Sequence, residues 1–81
     1  MSHLESRYEI GWLHPPELYE YQPTKARAFE SARYHAKRRN ATVYVYDRLA
    51  HAGAWEIWHV QPDGTIEATA RRGVSLVAMT A

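Results

Sequence analysis

Residues 24–40, TKARAFESARYHAKRRN, form the one segment of the chain with a clear start, period and stop, and they predict a helix. Thr24 follows Pro23 and brings a side-chain oxygen able to cap the free N–H groups of a first turn. The residue before a proline resists helical geometry, so the start falls at about Thr24 and Asn40 closes the segment. At about 100° per residue, Ala28, Phe29, Ala32 and Ala36 share one stripe. Arg27, Glu30, Ser31, Tyr34, Lys37 and Arg38 share the opposite side. A buried stripe of alanines lets the helix axis lie close to its partner, and the partner must then supply the large side chains that fill the space.

The helix also holds most of the positive charge. Residues 25–39 carry six Lys or Arg against Glu30 alone, a local charge of +5, whereas residues 1–24 sum to −3 and residues 40–81 to −1. The net charge of +1 therefore conceals a polarised surface suited to steering a charged partner. Lys37, Arg38 and Arg39 also complement the negative end of the helix dipole, and Glu30 is spaced to pair with Arg27 or Arg33.

Outward from the helix, the chain reads as strands. Arg7 to Leu13, RYEIGWL, alternates Tyr8, Ile10 and Trp12 against Arg7, Glu9 and Gly11, and His14-Pro15-Pro16 ends it. Glu17 to Tyr21, ELYEY, reads as a short edge strand or an extended loop between prolines, and we favour the strand. After the helix, Ala41 to Leu49, ATVYVYDRL, is the strongest strand by β-branched and aromatic content. Ala54 to Gln61, the turn Pro62-Asp63-Gly64 and Thr65 to Ala70 form a hairpin with glycine at the position needing positive φ. Its register sets Val60 against Ile66, Trp58 against Ala68, His59 against Glu67, Ile57 against Thr69 and Trp55 near Arg71. Val43, Val45, Trp58, Val60, Ile66 and Ala68 then lie under the alanine stripe, leaving Tyr44, Tyr46, Arg48, Trp55, Ile57 and His59 on the far face. Residues 1–6 read as a loose terminus and 71–81 as a tail or a final strand.

The expected fold is thus α+β: two layers, an antiparallel sheet of three to five strands with one basic helix on one face, in the order β(β)αβββ. Eighty-one residues predict one domain, burying roughly 60–65% of the surface of the extended chain. The absence of cysteine removes disulfides, thiolate metal sites and cysteine nucleophiles, and it suits the cytoplasm. No apolar run approaches the roughly 18 residues that span a bilayer, and MSHLESRYE lacks the apolar core of a signal peptide.

Three function classes fit these residues. The first is a non-enzymatic protein-interaction module. Its far sheet face, Tyr44, Tyr46, Arg48, Trp55, Ile57 and His59, would form a homodimer or take a partner protein, because interface cores favour tyrosine, tryptophan and arginine. By analogy of size, a phage or accessory protein that modulates a host protein would look like this. The alternative is single-stranded nucleic-acid binding, with bases on that aromatic face and phosphates on Arg27, Tyr34, Lys37 and Arg38 of the helix. The third is a small ribonuclease-like enzyme with His59 as base and Arg48 and Tyr46 beside it. His3, His14, His35, His51 and His59 show no metal-ligand spacing, and no cofactor is expected.

Overall fold

The computed structural model describes residues 6–13 and 17–73, so the expectations for the first five residues, the His14-Pro15-Pro16 stop and residues 74–81 fall outside it. The described elements are β1 (Tyr8–Trp12), β2 (Glu17–Gln22), α1 (Lys25–Arg39), β3 (Val43–Asp47), β4 (Trp55–Val60) and β5 (Ile66–Arg71). The strands make one antiparallel sheet in the order β2-β1-β3-β4-β5, and α1 packs on it to give the expected two-layer α+β fold. ELYEY is indeed a strand, extended to Gln22, and it lies at one edge of the sheet.

Local signals set the limits of α1. Thr24 has extended backbone, and its Oγ1 accepts from the Arg27 N–H at 3.3 Å. Asn40 turns into the left-handed region at φ 52°, the Ala41 N–H reaches the Ala36 carbonyl at 3.1 Å, and the Asn40 N–H reaches the Lys37 carbonyl at 3.4 Å. These bonds satisfy carbonyls that the last turn would otherwise leave open. Ala28, Ala32 and Ala36 are fully buried against a sheet that supplies the volume they lack. Ile10, Val43, Val45 and Val60 are buried beneath them, each worth about 1.5–3 kcal/mol in removal from water. Phe29 meets Trp58 edge-on at 5.5 Å, and Tyr8 and Trp12 complete the core.

The β4–β5 hairpin keeps its expected register near the turn. Val60 faces Ile66, His59 faces Glu67 and Trp58 faces Ala68, while Gly64 takes φ +92° and its N–H bonds the Gln61 carbonyl at 2.9 Å. Further along the register departs from simple alternation: Ile57 pairs with Ala70 and not with Thr69, and Trp55 pairs with Arg71. Thr69 and Glu56 are the extra residues of two adjacent irregularities, and the Thr69 hydroxyl donates to the Ile57 carbonyl at 3.1 Å. Pairs along a ladder alternate faces, so Trp58/Ala68 lies toward the helix, Ile57/Ala70 away from it and Trp55/Arg71 toward it again. Trp55 therefore leaves the far face on which strict alternation places it. Arg72 agrees: its guanidinium donates at 3.4 Å to the hydroxyl of Tyr46, a far-face residue, and at 3.0 Å to Glu56.

A second irregularity lies between β1 and β2, where Ile10 pairs with Glu20 but Gly11 pairs with Leu18, leaving Tyr19 as the extra residue. Gly11 is needed there: a Cβ would sit 2.6 Å from Tyr44 Cε2, 2.7 Å from the Tyr44 hydroxyl oxygen, and against the Glu17 carbonyl oxygen. The Tyr44 ring thus lies across a glycine, and its hydroxyl donates to Glu9 at 2.7 Å. At the end of β3, Asp47 is buried and accepts from Arg7 Nε at 2.9 Å, from Arg7 Nη2 at 3.1 Å and from the Leu49 N–H at 3.1 Å. Burial pushes its carboxyl up, but the guanidinium and the amide outweigh this and hold it below the usual carboxylate range.

Candidate functional site

The bare face of the sheet holds four of the expected residues side by side. Tyr44 stands opposite His59 and Tyr46 opposite Ile57, all half-buried. Both tyrosine hydroxyls are already engaged, Tyr44 with Glu9 and Tyr46 with Arg72, which in turn holds Glu56. Burial and the Glu9 carboxylate push the Tyr44 phenol well above its ordinary value. Arg48 donates to the Ser6 carbonyl at 3.1 Å and lies 5.3 Å over the Tyr21 ring on β2. β1 and β3 separate β2 from β4, so about 14 Å of sheet stands between that guanidinium and His59. The structure does not bring His59, Arg48 and Tyr46 into one constellation. Although His59 and Glu67 are register partners, they form no ion pair among the described residues, and the expected pairing of Glu30 with Arg27 or Arg33 is likewise missing there.

A different constellation forms along the seam between α1 and edge strand β2. The irregularity at Tyr19 turns its ring to the helix side, where it packs against His35 with centroids 3.8 Å apart and the planes tilted by 46°, and meets Trp12 edge-on at 6.0 Å. Tyr34 meets the other side of this group, its ring 5.1 Å from His35. His35 Nε2 approaches Glu20 Oε1 at 3.2 Å. Burial raises the Glu20 carboxyl, but hydrogen bonds from Gln22, Ser31 and His35 outweigh it and leave the carboxyl below its ordinary range. This carboxylate is thereby saturated from within the fold.

The cations of the seam have no such partners. The described ion pairs are Arg7 with Asp47, His35 with Glu20 and Arg72 with Glu56, and none involves a Lys or Arg of α1. At the seam Arg39 lies 4.4 Å over Trp12 and Arg38 donates to the Tyr34 hydroxyl at 2.8 Å; away from it, toward β4 and the hairpin turn, Lys25 lies 4.9 Å over Trp58 and Arg33 donates to the Gly64 carbonyl at 3.4 Å. Two depressions open along the seam. One of about 470 Å³ is lined by Gln22, Arg27, Glu30, Ser31 and Tyr34; the other, of about 230 Å³, by Trp12, Tyr19, His35, Arg38 and Arg39. Of the helix residues singled out from sequence, Arg27, Tyr34 and Arg38 line these depressions, and Lys37 is exposed.

Trp12, Tyr19, His35 and Arg39 were not expected at a surface site. Alternation assigns Trp12 to the core and Tyr19 to the side of Tyr21, and only the extra residue opposite Gly11 reverses Tyr19. Among the described residues no group of His, Cys, Asp or Glu is placed to hold a metal ion, and no helix is long and apolar enough to cross a membrane. No protein-family model, curated protein or solved structure matches the chain.

Proposed function

We propose that this chain is a non-enzymatic module that binds single-stranded nucleic acid along the α1–β2 seam. The observation behind this reading is that the six Lys and Arg of α1 take part in no ion pair among the described residues, while aromatic rings stand beside them. Unpaired cations supply phosphate neutralisation with counterion release, and the exposed rings of Tyr19 and Tyr34 beside them offer flat faces on which a base can stack. Arg27 to Arg38 spans about 16 Å of helix, enough to follow several phosphates. The cysteine-free core suits such a module to the cytoplasm.

The far sheet face supports a second reading, self-association. Among the described residues no helix covers one face of the sheet, and at its β2 edge Leu18 and Tyr21 are exposed. It ranks behind nucleic-acid binding because Trp55 is directed elsewhere and the two central tyrosines already satisfy their hydroxyls. The test is an anisotropy titration of labelled single-stranded oligonucleotide at low and at physiological salt, beside a sedimentation run on the protein alone. Saturable binding that weakens steeply with salt is expected. No binding at low salt, together with a concentration-dependent mass, would replace this reading with self-association.

A further inference from the structure

The 230 Å³ depression at the C-terminal end of α1 differs from the rest of the seam. Helix cations elsewhere offer only charge, which any polyanion satisfies, but here five side chains with two kinds of chemistry converge. Tyr19 presents one ring face to His35 and remains 49% exposed. Trp12 closes the floor, being itself buried, with Arg39 over its ring. Arg38 spends one N–H on the Tyr34 hydroxyl, and Arg39 makes no hydrogen bond or ion pair among the described residues, so most of both guanidinium edges stays available. The volume is below the roughly 300–1,000 Å³ of pockets that enclose drug-sized ligands, and suits one planar ring system. His35 turns Nε2 to the Glu20 carboxylate, which can only accept, so that nitrogen carries a proton.

From this we infer that the Trp12–Tyr19–His35–Arg38–Arg39 corner is a base pocket: it takes one unstacked nucleobase of a bound single strand against Tyr19, with the adjoining phosphate on Arg38 and Arg39. This inference rests on the nucleic-acid reading and adds a base-dependent component to it. A phosphotyrosine peptide would also offer a ring and a phosphate. The strand is favoured because the seam continues to a second depression lined by Arg27, which takes part in no ion pair among the described residues, and a phosphopeptide has one phosphate where a strand has a row of them.

The test compares two single strands of equal length and phosphate number, one with bases and one abasic, binding to wild type, Tyr19→Leu and the double variant Arg38→Gln/Arg39→Gln. Leucine keeps an apolar contact with Trp12 but has no ring to stack, and the arginines are exposed, so both variants should stay cooperatively folded with a melting temperature lowered by no more than about 10 °C. Wild type is expected to prefer the base-bearing strand about 5- to 150-fold, the range for one stacked base. Tyr19→Leu should bind both strands alike, at the abasic affinity. The arginine variant should flatten the salt dependence by about 0.7 per lost phosphate contact. Equal binding of the two strands by wild type would overturn the pocket while leaving charge-driven strand binding intact, whereas no binding of either strand would remove both. A base preference that survives in Tyr19→Leu would also overturn it. So would a free nucleoside monophosphate, or a phosphotyrosine peptide, that binds the corner as tightly as the strand does.

Discussion

Replacing Gly11 with alanine adds a single methyl group to a sheet, a change that ordinarily matters little. Here the new Cβ would lie 2.6 Å from Tyr44 Cε2 and 2.7 Å from its hydroxyl oxygen, and would press on the Glu17 carbonyl oxygen of β2. The tyrosine can move only by giving up its hydrogen bond to the Glu9 carboxylate, worth about 1.5–3 kcal/mol as a bond to a charged group. The Glu17 carbonyl belongs to backbone and can yield only by shifting the edge strand, a further cost of about 1–3 kcal/mol typical of overpacking. Partial relaxation makes these costs overlap, so we expect a loss of about 3 kcal/mol, or a fall in Tm of roughly 12–24 °C for a domain of this size. Thermal and urea unfolding followed by circular dichroism measure it. The same substitution in a Tyr44→Ala background should cost less, because only the Glu17 contact remains. A Gly11→Ala protein within about 0.5 kcal/mol of wild type would refute the close approach of Tyr44 and β2 to Gly11.

Other substitutions test separate links. Trp58→Ala, at a position 7% exposed, should cost about 3–5 kcal/mol, while Trp55→Ala, at 39% exposure, should cost about 1 kcal/mol or less; equal losses in parallel melts would contradict the two placements. Gly64→Val forces a β-branched residue to φ +92° and should destabilise by about 1–3 kcal/mol, so an unchanged melting curve would contradict the turn geometry. The Asp47 carboxyl is held below its unfolded value of about 3.9, so its contribution is fully present above that pH and disappears as pH falls through the folded value. Asp47→Asn should therefore lower Tm at neutral pH, and its stability should converge with that of wild type in strong acid; parallel pH profiles would show that Arg7 and Asp47 contribute nothing.

Features coded within a few consecutive residues were legible in the sequence. Thr24 and Asn40 terminate α1 through bonds to their own neighbours, the alanine stripe needs only the helical period, and the Pro62-Asp63-Gly64 turn sets the register of the first three pairs after it. What escaped depends on contacts distant in sequence. Nothing near Tyr19 marks it as an extra residue; the reason lies across the sheet, where Gly11 yields room to Tyr44. Thr69 and Glu56 similarly look like ordinary strand positions, yet together they move Trp55 to the helix side. One residue out of step reverses every side chain beyond it, which is why an aromatic face read from alternation lost its tryptophan and the cluster of Tyr19 with Trp12 and His35 at the seam went unseen. Arg7, read as an outward residue of β1, is likewise drawn to Asp47, forty positions away.

The seam can be located directly by following backbone and side-chain NMR shifts of the isotope-labelled protein as a short single-stranded oligonucleotide is added. The perturbed residues should run from Arg27 through Tyr34 and Lys37 to Arg38 and Arg39 on α1 and include Tyr19 on β2, with Tyr44, Tyr46 and His59 unmoved. Shifts confined to those three far-face residues, or none at any oligonucleotide concentration, would contradict binding along the α1–β2 seam.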